Sequence, residues 1–125
     1  MPWYPWGRLA DRPRRGRFFS IEHPGSSAAW REAAWLRMTQ SPGITVVRFD
    51  QCRFGARDRD GARIRKSTRV AANFDLSRLA LHGRCTHGAG THARLQGGNR
   101  TAGSAAYPLP LCRALAQEAR KAMRR

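Results

Sequence analysis

The chain has 125 residues, a length that fits one domain, and a formal net charge of +16. Its basic residues are 22 Arg and two Lys against eight acidic residues, which favours a polyanion, nucleic acid first, because guanidinium groups contact phosphates and guanine edges bidentately. A GC-rich gene would produce the same Arg surplus. The sequence has no apolar run long enough for a membrane helix and no apolar N-terminal run typical of a secretory signal, so we expect an intracellular protein.

The supply of core-forming residues is small. Leu, Ile, Val and Phe together account for 20 of the 125 residues, a low fraction for a highly charged chain that must fold by itself. Four Trp and five Phe offset this shortage, because each aromatic side chain buries a large area. The three cysteines are widely spaced and odd in number, which argues against a disulfide framework and leaves free thiols or metal ligands.

Residues 1–16, MPWYPWGRLADRPRRG, combine three Pro with four Arg and show no helical or alternating period. They predict an irregular basic arm, disordered in the isolated chain. Residues 17–125 then form the single α/β domain. RFFSIE at its start predicts a short strand with apolar residues on both faces, as in a covered parallel strand.

The next segments alternate between helix and strand. Ser26 or Ser27 is placed to cap a helix that SPG at 41–43 ends. Trp30 and Trp35 lie on the apolar stripe of that helix, which indicates core packing. ITVVRF, residues 44–49, is the clearest strand, and two strands joined by a helix form a βαβ unit.

The second half of the domain predicts one more strand and two more helices. A loop through Gly55 and Gly61 leads to a strand near 64–72, followed by a helix at 75–83. Residues 84–104 are rich in Gly, Thr and His and predict a loop. A last helix begins near Pro110, and its expected apolar stripe is Leu111, Leu115, Ala119 and Ala122. The expected fold is therefore a partial Rossmann-like βαβ sheet of about three strands and three helices with a basic N-terminal arm.

One group of residues has metal-binding chemistry. Zinc accepts thiolate and imidazole ligands in a tetrahedron, and the fold must bring Cys52 to three residues in the Gly-rich loop to complete the set. The candidate ligands are Cys52, Cys85, His87 and His92. The paired short spacings of a zinc finger are missing, so the alternative is a solvated loop with a buried Cys52 thiol.

The basic residues predict a surface for phosphate contacts. The candidate nucleic-acid-binding residues are Arg14, Arg15, Arg17, Arg53, Arg57, Arg59 and Arg69. Neither a phosphate-binding glycine loop nor a hydrolytic triad accompanies them, because GAGTHARLQGG does not follow a strand and open a helix, and HPGSS lacks a nucleophile elbow.

Five segments stand in an order that resembles a known family: FSIEHP, FDQCRFG, RKSTRVAAN, a Cys followed by His, and TAGSAAYPLPLC. Together they are similar to the C-terminal half of the Rossmann-like DNA cytosine-5-methyltransferase-related domains of phages and of algal and dinoflagellate retroelement polyproteins. The resemblance covers about residues 17–116. His23, Ser67 and Ala72 depart from the Asn, Pro and Thr usual in that family.

The resemblance assigns a role to the residues beside the first strand. It implies that Glu22 holds the Watson–Crick edge of a flipped cytosine, with four neighbours lining the same site. The set is Glu22, Arg63, Arg65, Lys66 and Thr68.

The family's S-adenosylmethionine-binding half and Pro-Cys nucleophile precede the glutamate strand, and no cysteine lies before Cys52. The resemblance, together with the Arg-rich composition, thus implies a noncatalytic nucleic-acid-associated fragment of mobile-element origin without a cofactor of its own. One alternative is a subunit of a split cytosine methyltransferase, with S-adenosylmethionine bound only when another chain supplies the missing N-terminal half. Another is a structural Cys/His zinc module.

Overall fold

The structure is a computed structural model that describes residues 17–88, 90–93 and 107–124. It is a mixed α/β fold with three strands, β1 (Ser20–Pro24), β2 (Thr45–Asp50) and β3 (Ser67–Ala72), and three α-helices, α1 (Ala33–Thr39), α2 (Ser77–His82) and α3 (Leu109–Met123). Short 3₁₀ helices span Ala28–Arg31 and Gln51–Phe54. The proposed arm, with Arg14 and Arg15, lies outside the described residues.

The sheet order is β1-β3-β2, and β3 pairs antiparallel with both neighbours. The expected counts of strands and helices are confirmed for the described residues. β1 and β2 run in the same direction with α1 between them in sequence, but they are not paired, because β3 occupies the position between them. A three-stranded antiparallel sheet is not typical of a Rossmann fold, so that part of the expectation is not confirmed.

Strand alternation gives the sheet two apolar faces. On one face Val47, Phe49 and Val70 pack with Leu79 of α2 and Leu111 of α3. Phe49 and Leu111 are completely buried. The α3 stripe anticipated from the sequence is therefore confirmed, and it covers the sheet and the 3₁₀ helix that follows β2.

On the opposite face Trp30 and Met38 pack on Ala71 in the middle of β3. The helix expected from Ser27 to residue 40 is interrupted, since Glu32 adopts an extended conformation between the 3₁₀ helix and α1. Trp30 Nε1 donates to the carbonyl oxygen of Pro24 at 2.8 Å, which turns the buried indole toward the end of β1. Core packing of Trp30 is confirmed, and the half-buried Trp35 packs against the same cluster.

No helix in the described ranges is both long and apolar enough to span a bilayer.

Candidate metal centre

Cys52, Cys85, His87 and His92 come together at one end of β2. Cys52 lies on the 3₁₀ helix directly after β2, and the other three lie in the segment that follows α2. One donor atom from each residue lies within 4.8 Å of all the others. The fold therefore brings together the four ligands anticipated from the sequence, although 33 positions separate Cys52 from Cys85. These four residues are called the Cys/His centre below.

The spacing within the Cys/His centre suits a tetrahedral ion. Cys85 Sγ lies 3.5 Å from His87 Nδ1 and 3.4 Å from His92 Nε2. A tetrahedron with metal–sulfur bonds of about 2.3 Å and metal–nitrogen bonds of about 2.0 Å has S···N edges of about 3.5 Å. The centre could accordingly hold a metal ion.

The protonation of the centre depends on its surroundings. Burial, then the hydrogen bond and charge of Cys85 and the charge of Asp50, raise the pKa of the Cys52 thiol to about 12, against a smaller opposing effect of Arg65. Desolvation lowers the pKa of His87, followed by the charges of Arg63 and His92 and then of two further arginines. A neutral imidazole is the form that ligates a metal, whereas Cys52 must lose its proton to do so.

Asp50 fixes the Cys85 backbone. Its Oδ2 accepts from Cys85 N at 2.8 Å, and its own backbone N–H donates to the carbonyl oxygen of Gly83 at 2.7 Å. The Asp50 side chain is only 3% exposed, and Oδ1 lies 3.6 Å from Arg65 Nε, whose side chain is 62% exposed. This residue was missed in the sequence, although its place at the end of the β2 pattern, next to a candidate ligand, was an available signal.

Gly83 allows the segment after α2 to approach β2. A Cβ atom at this position would overlap Phe49 Cβ and lie 2.6 Å from the carbonyl oxygen of Leu79. Both neighbours are part of the packed core or backbone, so neither moves cheaply. The absence of a side chain at Gly83 therefore permits the close packing of this segment on β2.

Backbone contacts with Arg63 position His92. Ala93 N donates to the carbonyl oxygen of Arg63 at 2.8 Å, beside a bridge that pairs Arg63 with His92. The His87 and His92 rings are T-shaped with centroids 5.5 Å apart. Arg53 Nη1 donates to Thr86 Oγ1 at 3.1 Å, tying the start of this segment to the 3₁₀ helix that carries Cys52.

Four arginines surround the Cys/His centre, and we call them the arginine rim: Arg53, Arg57, Arg63 and Arg65. Three of them act electrostatically on His87 and the fourth on Cys52. Of the other arginines proposed for nucleic-acid contact, Arg17 and Arg59 are exposed, and Arg69 lies on β3 with its guanidinium over the Trp30 ring.

The residues that the resemblance groups around Glu22 are divided between two places. Glu22 pairs with Val70 across β1 and β3, and Thr68 lies further along the same face of β3. Lys66 is close enough to influence Glu22 electrostatically, and Thr68 Oγ1 accepts from Gln51 Nε2 at 3.0 Å. Arg63 and Arg65 instead belong to the arginine rim.

The electrostatic setting of Glu22 differs from that of a surface carboxylate. Burial raises the pKa of Glu22, and the positive charges of Lys66 and His23 only partly oppose this. Lys66 itself has a φ of +26°, an unusual backbone conformation for a residue with a side chain.

Comparison of the chain with models of protein families, with curated proteins and with solved structures gave no match. The resemblance to cytosine methyltransferase-like domains therefore stays a prediction that rests on the five sequence segments alone.

Proposed function

We propose that the chain is a noncatalytic nucleic-acid-binding module whose basic loops are held in place by a zinc ion at the Cys/His centre. The observation that carries the proposal is the arginine rim: Arg53 Nη1 donates to Thr86 Oγ1 and Arg63 pairs with His92, so both arginines lie at the edge of the centre. Such a concentration of positive charge beside a metal-held loop suits phosphate binding.

Zinc fits the donor set better than the other common metals. Two thiolates and two imidazoles in a tetrahedron are typical of structural zinc, whereas magnesium and calcium take oxygen ligands. Four protein ligands would complete the coordination shell and leave no position for a reacting water. The ion would therefore cross-link the segments without performing chemistry.

Nucleic acid fits the charge of the chain. A surplus of 16 positive charges, most of it on arginine, favours a partner with regularly spaced phosphates. Arg57 Nη1 donates to the carbonyl oxygen of Gly61 at 2.7 Å, which holds this guanidinium on the loop beside the centre. A pre-positioned guanidinium loses less side-chain entropy when it binds a phosphate.

Two measurements on the purified full chain test the proposal. Elemental analysis should find one zinc per chain, and fluorescence anisotropy with a labelled oligonucleotide should show binding that weakens steeply as salt rises. Arg57→Gln should weaken binding several-fold, while Arg113→Gln, at an exposed position on α3, should not. A folded, metal-free protein would refute the zinc assignment, and the absence of salt-dependent binding would refute the nucleic-acid assignment.

A second candidate is the split cytosine methyltransferase, supported by the environment of Glu22. A carboxyl group that retains its proton more readily than usual can donate a hydrogen bond to a ring nitrogen of a flipped base. Mixing the chain with a separate subunit that supplies the methyl donor site and the nucleophile should then produce methylated cytosine. Loss of that product in Glu22→Ala but not in Glu32→Ala is the expected pattern, and no methyl transfer in any mixture would refute this candidate.

A further inference from the structure

A row of three basic side chains crosses the sheet on the face that carries Trp30. In the strand register His23 lies opposite Arg69, and Arg69 lies opposite Arg48 on its other side. Because alternate residues share a face, the row belongs to the same face as the buried Ala71. We call His23, Arg69 and Arg48 the basic row. It includes no residue of the Cys/His centre and only one residue, Arg69, that was proposed above for nucleic-acid contact.

The basic row is accessible and is bordered by two indole rings. Arg48 is exposed, and His23 and Arg69 are half-buried. The centroid of the His23 ring lies 5.5 Å from that of Trp35, and Arg69 Cζ lies 5.7 Å from the Trp30 ring. The 3₁₀ helix and α1 cover the neighbouring apolar row of the sheet and leave the basic row at the border of that cover.

The position of Arg48 beside Arg69 in the sheet is electrostatically unfavourable. Cross-strand neighbours have Cβ atoms about 5 Å apart, and like charges in such a pair destabilise the sheet. Among the described residues, neither Arg48 nor Arg69 forms an ion pair with a carboxylate. The repulsion between them therefore persists in the free protein and would be relieved by an anion placed over the row.

Arg48 is held in position with most of its donors available. Its Nε donates to Ser67 Oγ at 2.7 Å, which uses one of the five N–H groups of a guanidinium. A Cβ at Gly25 would lie 2.7 Å from Ser67 Oγ and 3.2 Å from Arg48 Nε, so the absence of a side chain at Gly25 makes room for this pair. The terminal nitrogens of Arg48 can then bind a phosphate bidentately.

We infer that the basic row binds the phosphates of single-stranded nucleic acid, an inference that rests on the proposed function and extends it to a second surface. Three strands span about 10 Å between the outer members of the row, a distance that an extended strand can cross. The half-buried Trp35 and His23 rings at its border offer an aromatic edge for an unpaired base, which a duplex does not present.

The test is anisotropy of a labelled single-stranded 12-mer with the zinc-loaded full chain across a salt series. Arg48→Gln should weaken binding several-fold and reduce the slope of log affinity against log salt by about 0.7, the value for one lost phosphate contact. Gly25→Ala, which displaces Arg48 without removing its charge, should weaken binding in the same direction. Arg113→Gln is the matched control and should leave both quantities unchanged.

Amide NMR of the wild-type chain distinguishes this inference from the proposed function. Shifts at residues 23, 48 and 69 as well as at the arginine rim on adding the 12-mer would support the basic row. Shifts at the rim alone, or tighter binding of a duplex of the same sequence, would overturn the basic row and leave the proposed function standing. No salt-dependent binding by the wild type would overturn both.

Discussion

The sheet with its three helices and the loop at 84–93 are stabilised in different ways. The sheet buries Phe49, Val70 and Leu111 almost completely. In the loop, none of the described residues is fully buried, and its order depends on hydrogen bonds to Asp50 and Arg63 and on the Cys/His centre. Apolar burial can form the sheet without a ligand, whereas the loop needs a cross-link, which a metal ion would supply.

The most direct test of this difference between sheet and loop is to replace one residue of the Cys/His centre. We expect Cys85→Ser to lower zinc affinity by more than about 100-fold, because even partners outside the coordination shell contribute 10- to 100-fold. Hydrogen exchange should then accelerate at 84–93 and around Cys52 while the sheet amides stay protected. Elemental analysis and exchange mass spectrometry measure the two effects.

Cys112→Ser is the matched control, since Cys112 is an exposed cysteine on α3. It should keep both zinc and loop protection. Equal loss of protection in sheet and loop after Cys85→Ser would show that the two regions are not stabilised separately.

The contact between the two regions can be broken at Gly83. Gly83→Ala should destabilise the protein by about 3 kcal/mol, because the new methyl group overlaps Phe49 and the α2 backbone. Urea unfolding measures the loss. Gly88→Ala is the control in the same loop, since its Cβ would meet only Thr91 Cγ2 at 3.9 Å. Similar stability of the two variants would contradict the close packing described at Gly83.

A milder substitution tests how Asp50 connects the sheet to the loop. Asp50→Leu removes the acceptor of the Cys85 amide and should weaken zinc binding about 10-fold, a typical effect for a partner outside the coordination shell. Asp50→Asn keeps a side-chain acceptor and should lose less. Competition with a chromogenic chelator measures both, and equal losses would mean that the charge of Asp50, rather than the hydrogen bond, is what matters.

The smallest expected effect concerns Glu22, which lies on β1 of the sheet and is not part of the Cys/His centre. Because burial raises its pKa, the folded protein holds this proton more tightly than the unfolded chain does. The stability that results is present at low pH and is lost as the pH rises through the folded pKa. Glu22→Gln should therefore raise the melting temperature at pH 7 by no more than about 2 °C, given its partial exposure.

At a pH below the ordinary range of a carboxyl group, the difference between Glu22→Gln and wild type should disappear. Glu32→Gln, at an exposed position before α1, is the control and should show no such pH-dependent gain. Thermal unfolding followed by circular dichroism gives both comparisons. A loss of stability at pH 7 would mean that the attraction of Lys66 outweighs the cost of burial.

Local pattern was sufficient for most of the elements, although it did not show the break at Glu32, and it failed where distant segments meet. The β-branched run of β2 and the stripe of α3 around Leu111 predicted these elements because each segment buries one defined set of side chains. The position of β3 between β1 and β2 was not predictable, since RKSTRV carries no signal for antiparallel pairing with both neighbours.

The same distinction applies to the candidate site. The residue types of the Cys/His centre were evident in the sequence, but the packing on β2 of the segment that leads to Cys85 requires the small volume of Gly83 beside Phe49. The arginine rim was hidden for a similar reason. Arg63 and Arg65 were grouped with Glu22 by resemblance, and the fold places them with the centre instead.

The juxtaposition of Arg48 and Arg69 has a consequence for the choice of buffer. Dissolved salt screens the repulsion between the two side chains and the wider positive charge of the molecule, so the free protein should melt at a higher temperature as salt is added. The same salt competes with nucleic acid for the guanidinium groups and weakens binding. Conditions that preserve the folded protein best are therefore those in which its proposed partner dissociates most readily.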